Sequence, residues 1–210
     1  MNTSFFIDRS LLPALTPDTI LLGGVDEVGR GALFGPVVAA AVVLPLSSVP
    51  QLREIGVKDS KKLSPKKRQE LVEPIQTIVS SWCVAQATVA EIDRLNILQA
   101  SLLAMKRAIM GLKISPEVCL IDGKFTIKEL PLVQKAVIKG DNRSLAIASA
   151  SILAKVWRDD LIVGLAKNYP NYDLAKNKGY PTLQHRLALK EYGSSPQHRQ
   201  SFRLCRQTER

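Results

Sequence analysis

The sequence predicts a mixed α/β fold, and three observations carry that prediction. Short apolar runs of strand length recur, several of them ending at a carboxylate. Longer stretches place apolar residues at helical spacing, and some open on a recognisable cap. Three strands fall early in the chain and helices and strands then alternate, which implies a mixed sheet with helices on its faces.

Residues 20–26 (ILLGGVD) are apolar and end at Asp26, as a buried strand would. Residues 36–44 (PVVAAAVVL) are continuously apolar and rich in valine, with Pro36 at the start where a missing donor costs least, so they read as a central strand. Ser64-Pro65 pairs an N-cap with proline at the first helical position and predicts a helix to about residue 80. Residues 82–89 read as a third strand, and residues 91–112 as one or two helices. Residues 118–122 (VCLID) and 136–139 are short strands, the first again ending in Asp. Residues 144–168 form a long helical pattern stopped by Pro170. Its first half is small (Ala146, Ala148, Ser149, Ala150, Ser151, Ala154), so it can pack closely on a sheet. Residues 182–192 are a last helix, with Thr182 as cap and Gly193 just past its end.

With 210 residues, 46% of them hydrophobic, the chain suffices for one large domain with or without a small appendage. No stretch of about 18 uncharged apolar residues is present, so no membrane span is expected. Residues 1–18 contain Asp8 and Arg9 within their apolar part and two prolines, which predicts a loosely held arm and not a signal peptide. Cys83, Cys119 and Cys205 are widely spaced, with no Cys-x-x-Cys pair. They argue against a zinc ribbon or dithiol motif and for reduced, mostly buried thiols in the cytoplasm. The 29 Lys+Arg against 19 Asp+Glu, a formal +10, favours a polyanionic partner, nucleic acid before an anionic membrane. A solvated basic surface without a nucleic-acid role is the lesser alternative.

The most informative segment is GVDEVGRGALFGP, residues 24–36. Asp26 and Glu27 sit where the first strand is expected to end, and such a pair is costly unless solvated, paired or bound to a cation. An exposed acidic turn and a metal site are both compatible with it. Gly29-Arg30-Gly31 lets the backbone approach a sugar-phosphate chain while the guanidinium takes a phosphate. A dinucleotide fingerprint does not fit, because the spacing is one residue too long and a strand follows where that motif needs a helix. Asp122 and Asp141 each follow an apolar run; singly, each reads as a turn residue. Together the four carboxylates suit hard divalent cations, Mg²⁺ or Mn²⁺, as a phosphodiesterase with two ions about 4 Å apart requires. In that chemistry one ion activates water and the other stabilises the leaving 3′-oxygen.

GVDEVGRG, Asp59-Ser60-Lys61-Lys62-Leu63, the DG after a strand, KGD, SASILAKVWRD, GYPT and SPQHRQSF, in that order from about residue 20 to 202, resemble the successive signature blocks of ribonuclease HII, the type 2 ribonuclease H family. The resemblance implies a ribonuclease H-like fold, a five-stranded mixed sheet flanked by helices with a small helical C-terminal part. It implies an arm over residues 1–18, a catalytic domain over 19–170, and a segment over 171–210 that completes the substrate site. It implies that Asp26, Glu27, Asp122 and Asp141 bind Mn²⁺ or Mg²⁺ and are catalytic. Gly29, Arg30 and Gly31 match the loop that senses the ribose 2′-hydroxyl, Tyr180 the tyrosine that stacks on the next sugar, and Ser60 and Lys61 part of a phosphate-contacting loop. The implied substrates are RNA–DNA hybrids and duplex DNA carrying ribonucleotides, cut on the 5′ side of a ribonucleotide by a monomer; a contact with a sliding clamp is left open.

From the residues alone, Tyr180 reads as a half-buried tyrosine with its hydroxyl bonded, and residues 59–62 as a solvated loop. Arg158 and Asp159 fit either a supporting role behind the carboxylates or a surface ion pair. His185 and His198 read as surface or structural residues before proton shuttles, and Arg199, Arg203, Arg206 and Arg210 as a basic tail reaching duplex backbone. Three places depart from the family pattern: Val28 stands where alanine is usual, Ala32-Leu33-Phe34 where Pro-Leu-Ala is usual, and Asn177 where histidine is common. A type 3 ribonuclease H usually carries an added N-terminal domain, for which the early Asp26-Glu27 pair leaves no room. A non-catalytic binding module on this fold is expected to have lost one of the four carboxylates.

Overall fold

The computed structural model describes residues 7–13 and 16–206. After a short helix α1 (Ile7–Ser10), the strands β1 (Leu21–Val28) and β2 (Val37–Pro45) pair antiparallel along their whole length, from Leu21↔Pro45 to Val28↔Val38. Helices α2 (Val49–Glu54) and α3 (Pro65–Ile78) lead to β3 (Ser81–Ala87), which adds antiparallel to β2. Then come α4 (Val89–Leu95), α5 (Ile97–Met110), β4 (Val118–Asp122) and β5 (Val133–Val137). The long α6 (Leu145–Ala166) is followed by α7 (Leu174–Asn177), α8 (Leu183–Tyr192) and α9 (Arg203–Arg206). The strand order is β3-β2-β1-β4-β5, with β1–β4 and β4–β5 parallel.

Period-two alternation divides the core between the two faces of the sheet. From β2, Val38, Ala40, Val42 and Leu44 pack with Leu22 and Leu120 against α3 and the small-residue half of α6. Val37, Ala39 and Ala41 face the other way, with Val25 and Ile121, onto Ala100, Ala104, Met105 and Ala108 of α5. A strand buried on both sides has no polar face to show, which is why residues 36–44 read as one apolar run. Small residues bring α6 close: a Cβ added at Gly24 would lie 2.4 Å from the Ala146 backbone carbon. A third cluster, built on Leu33, Phe34, Ile162, Tyr172, Leu174, Leu189 and Cys205, seats the C-terminal helices on the end of α6.

Several expectations need correction. β1 does not stop at Asp26; its ladder with β2 carries it to Val28, and Gly29 at φ +92 ends it. β5 lies at Val133–Val137 and not 136–139, because it is a partly exposed edge strand paired in register with β4 and Lys139 has turned left-handed at φ 55. The helical stretch 91–112 is divided by Asn96, at φ 73, whose side chain caps α5 by accepting from Leu98 N–H and Gln99 N–H. The described part of the N-terminal arm is not loose. The buried Asp8 carboxylate accepts from the Ser144 hydroxyl and, at 2.8 Å, from Leu145 N–H, and Lys135 Nζ donates to the Leu11 carbonyl at 2.7 Å. The rest of the arm lies outside the described residues. Cys119 and Cys205 are buried thiols outside any disulfide, pushed up by burial to about 12 and about 11. Among the described residues no helix is long and apolar enough to cross a membrane.

Candidate active site

The parallel register of β1 and β4 brings the first two carboxylates together. The last pair in that ladder is Val25↔Ile121, so Asp26 and Asp122 come side by side at the next step, on the α6 face of the sheet. Glu27 has the opposite parity. There β1 has run past the β4 ladder and its edge is open, and the longer side chain reaches round: carboxylate oxygens of Asp26, Glu27 and Asp122 lie within 4.8 Å of one another. The Glu27 N–H donates to Asp26 Oδ1 at 2.7 Å, and the Gly140 N–H to Asp122 Oδ1 at 2.6 Å. From α6, the Ser151 hydroxyl bonds the Asp26 carboxyl, and Ser60 Oγ is 3.0 Å from Ser151 Oγ.

Crowding shows in the acidities. Burial first, then the Glu27 and Asp122 charges, push the Asp26 carboxyl well above the ordinary carboxylate value. Burial also raises Glu27, against the pull of Arg30, whose Nη1 is 3.0 Å from Glu27 Oε1, and raises Asp122 against the Gly140 N–H. Three close, mutually repelling carboxylates, Asp26 buried and the other two half-buried, form an all-oxygen donor set short of positive charge, which fits a hard divalent cation. Asp141 is not one of this close trio, although its charge reaches Asp122. Its Oδ2 is paired with Lys61 Nζ at 2.8 Å, and although burial would raise it, that ammonium holds it below the usual range.

The carboxylates open into a cleft of about 400 Å³ that also touches Gly29, Arg30, Gly31, Ser60, Lys61 and Tyr180. Arg68 and Lys155 add positive charge to its wall. A larger cavity of about 530 Å³ beside the N-terminal arm is mostly apolar and holds no such cluster, so the chemistry selects the smaller cleft. The two glycines differ. A Cβ at Gly29 would lie 2.2 Å from Arg158 Nε, whereas at Gly31 it would meet no protein atom within 4 Å. Gly31 therefore faces open space from which a ligand can approach the backbone.

The loop carrying Tyr180 is tied down through Asn177, whose Nδ2 donates to the Tyr172 carbonyl at 2.7 Å and whose Oδ1 accepts from Gly179 N–H at 2.8 Å. This gives the departure at Asn177 a structural role. Val28, another departure, packs against the α6-side core, and Leu33 and Phe34, from the remaining one, join the C-terminal cluster.

Of four further residues, His185, His198 and Arg158 take the structural alternatives of their sequence readings and Arg199 departs from its own. His185 and His198 are fully buried, Nε2 to Nε2 at 3.0 Å. Ser195 N–H donates to His198 Nδ1 at 2.9 Å, so His198 carries its proton on Nε2 and donates it to His185, whose Nδ1–H then donates to the Tyr180 carbonyl at 2.9 Å. Arg199 is no tail residue: it is fully buried, donating from Nε to the Gly35 carbonyl and from Nη1 to the Arg30 carbonyl. Arg158 is fully buried as well, while Asp159 pairs with Lys155 at 2.8 Å. Arg203 and Arg206 are exposed, and Arg210 lies outside the described residues.

The family model for ribonuclease HII matches residues 23–205. A Ribonuclease HII from Nostoc sp. is 59% identical over 205 residues, 98% of this chain and 90% of its own length. The chain belongs to the ribonuclease HII family. Its fold is similar to the solved ribonuclease H2 of Pyrococcus horikoshii OT3, with a TM-score of 0.79 and 30% identity over 90% of this chain and 97% of that one. It also resembles the chain in a PCNA:RNase HII complex from Archaeoglobus fulgidus, with a TM-score of 0.70 and 30% identity over 82% and 88% of the two chains. Ribonuclease HII enzymes are divalent-metal-dependent endoribonucleases, hydrolases of RNA–DNA hybrids, and this chain is one of them.

Proposed function

We propose that this enzyme cuts on the 5′ side of ribonucleotides, including a single ribonucleotide embedded in duplex DNA, leaving 3′-hydroxyl and 5′-phosphate ends, and serves in removing ribonucleotides from DNA. The observation that carries the reading is one cleft in which the Asp26, Glu27 and Asp122 carboxylates face the Gly29–Gly31 backbone and the Tyr180 ring. Asp26, Glu27 and Asp122, with Asp141 beside them, would hold Mg²⁺ or Mn²⁺ in a two-ion arrangement, supplying an activated water and stabilisation of the leaving 3′-oxygen.

The protein's own groups do the rest. The open backbone at Gly31 bonds the 2′-hydroxyl, the group that tells RNA from DNA. The Tyr180 ring lies over the next sugar, where an added hydroxyl would crowd it. Lys61, Arg68 and Lys155 draw in the phosphates, with Arg30 linking the scissile region to Glu27. Ser151 and Ser60 orient Asp26, and the segment over residues 171–210 completes the site by presenting Tyr180. The setting is the cytoplasm and the working form a monomer. A sliding-clamp contact is proposed on the strength of the Archaeoglobus fulgidus complex.

Product chemistry tests the reading. Incubation of an end-labelled RNA–DNA hybrid with Mg²⁺ or Mn²⁺ should give 3′ ends that a polymerase extends and 5′ ends that ligase accepts, with a chelator stopping the reaction. Ends of the opposite polarity, or cleavage that survives chelation, would overturn it.

A further inference from the structure

Arg158 lies in the middle of the long helix α6, fully buried, and among the described residues no carboxylate pairs with it. A buried guanidinium without a counter-ion is costly, so its position needs a reason beyond filling space. Its hydrogen bonds supply one. Nε donates to the Pro36 carbonyl at 3.1 Å and Nη2 to the Phe34 carbonyl at 3.0 Å, both in the strap that leads from the glycine loop into β2. Nη1 donates to the Lys178 carbonyl at 2.9 Å, two residues before Tyr180. The Cζ atom stands 5.5 Å from the centre of the Tyr180 ring, in cation–π range. The same side chain fills the space against Gly29, where even one added carbon would collide with it.

One rigid planar group therefore touches both elements that meet the substrate. Lys178 and Gly179, at φ 53 and φ 83, turn left-handed beside it, and the Gly179 carbonyl accepts from Leu33 N–H at 2.8 Å, so the two loops are joined at this point by backbone as well. A lysine would keep the charge but lose the fixed fork, since an ammonium is a point donor and cannot span three carbonyls at set angles.

We infer that Arg158 is a specificity-determining positioning residue: its guanidinium sets the spacing between the Gly29–Gly31 backbone and the Tyr180 ring, and so couples recognition of the ribonucleotide to recognition of the deoxynucleotide after it. The inference rests on the proposed reading of those two elements. Arg158 touches no substrate atom and acts through the loops it holds.

A double-mutant cycle tests it. Wild type, Arg158→Lys, Tyr180→Ala and the double variant are compared by kcat/KM on a DNA duplex with one embedded ribonucleotide and on a continuous RNA–DNA hybrid. Arg158→Lys should lower the ratio of embedded-site to continuous-hybrid cutting by about tenfold, and change it by less than about twofold when Tyr180 is already alanine. Equal losses on both substrates, or a full further loss in the double variant, would mean that Arg158 only supports the fold. If wild type cuts the hybrid but not the embedded site, the proposed function itself fails and the inference falls with it. Should Arg158→Lys not fold, the wild-type Arg158 Nε–H resonance answers instead, with chelator present to prevent cleavage. A ribonucleotide-bearing duplex should shift it more than the same duplex in all-DNA form; equal shifts would overturn the inference.

Discussion

Asp26 is the residue on which the account leans most. It is buried, it sits one step beyond the last β1–β4 pair, and it takes the Ser151 hydroxyl and the Glu27 N–H while meeting two neighbouring negative charges. Asp26→Asn keeps the shape and removes the charge, so cleavage should fall by at least about a thousandfold while duplex binding holds, because the phosphate-facing cations are untouched. A retained rate, measured beside binding on the same hybrid, would remove Asp26 from the site. Tyr180→Ala should weaken cutting at a single ribonucleotide more than cutting of a long RNA tract, and equal losses would argue against a junction role. Asp26, Glu27, Asp122, Gly29–Gly31 and Tyr180 were legible because short motifs at strand ends and turns carry them. The partners of Arg158, Arg199 and the His185–His198 pair were not. Arg158 and Arg199 bond carbonyls as far as 124 and 169 residues away, the histidines meet only once the C-terminal segment has folded on itself, and a buried arginine in a helical pattern looks in sequence like a surface one. The Lys61–Asp141 pairing, 80 residues apart, was invisible for the same reason.

At the scale of elements, the site depends on how closely α6 approaches β1, since α6 delivers both Ser151 and Arg158 to their places. Gly24 is the contact point. A methyl there would meet backbone at Ala146 and Ile147, which cannot swing aside as a side chain can. Gly24→Ala should destabilise the protein by about 1–3 kcal/mol in denaturant unfolding and depress cleavage at temperatures where the fold still holds. An unchanged unfolding midpoint would show that α6 has slack to give. The sheet and its main helices were legible because each has a strong period or cap: the doubly buried β2, the Ser64-Pro65 start of α3, the Thr182 cap of α8. The short helices α2, α7 and α9 were missed. A helix of one or two turns gains little from its own hydrogen bonds and is held by tertiary packing that no local pattern reports.

At the scale of the whole molecule, the C-terminal segment is locked to the α/β body by buried polar links. Arg199 holds the Arg30 and Gly35 carbonyls, and Asp93 accepts from Gln200 N–H and Ser201 N–H, while within the segment the His185–His198 pair holds the Tyr180 carbonyl. Burial, and for His198 the neighbouring imidazole, lower both histidines, His198 to about 4. Unfolded, each titrates near 6.5. The unfolded chain thus binds more protons between those values, so this contribution is complete above about pH 6.5 and is lost as pH falls toward 4. The melting temperature should drop between about pH 7.5 and pH 5, and His198→Asn should flatten that drop while lowering stability at the higher pH; an unaltered slope would contradict the buried neutral pair.

The most direct test of the central claim is a labelled DNA duplex with one embedded ribonucleotide, incubated with the protein and Mg²⁺ or Mn²⁺, with chelator as control and the cut mapped to the nucleotide. A single metal-dependent cut on the 5′ side of the ribonucleotide is expected. Cleavage of a continuous hybrid with none at the embedded site would contradict it, leaving the carboxylate cluster in place but removing the reading of Gly31 and Tyr180 as the groups that find a lone ribonucleotide.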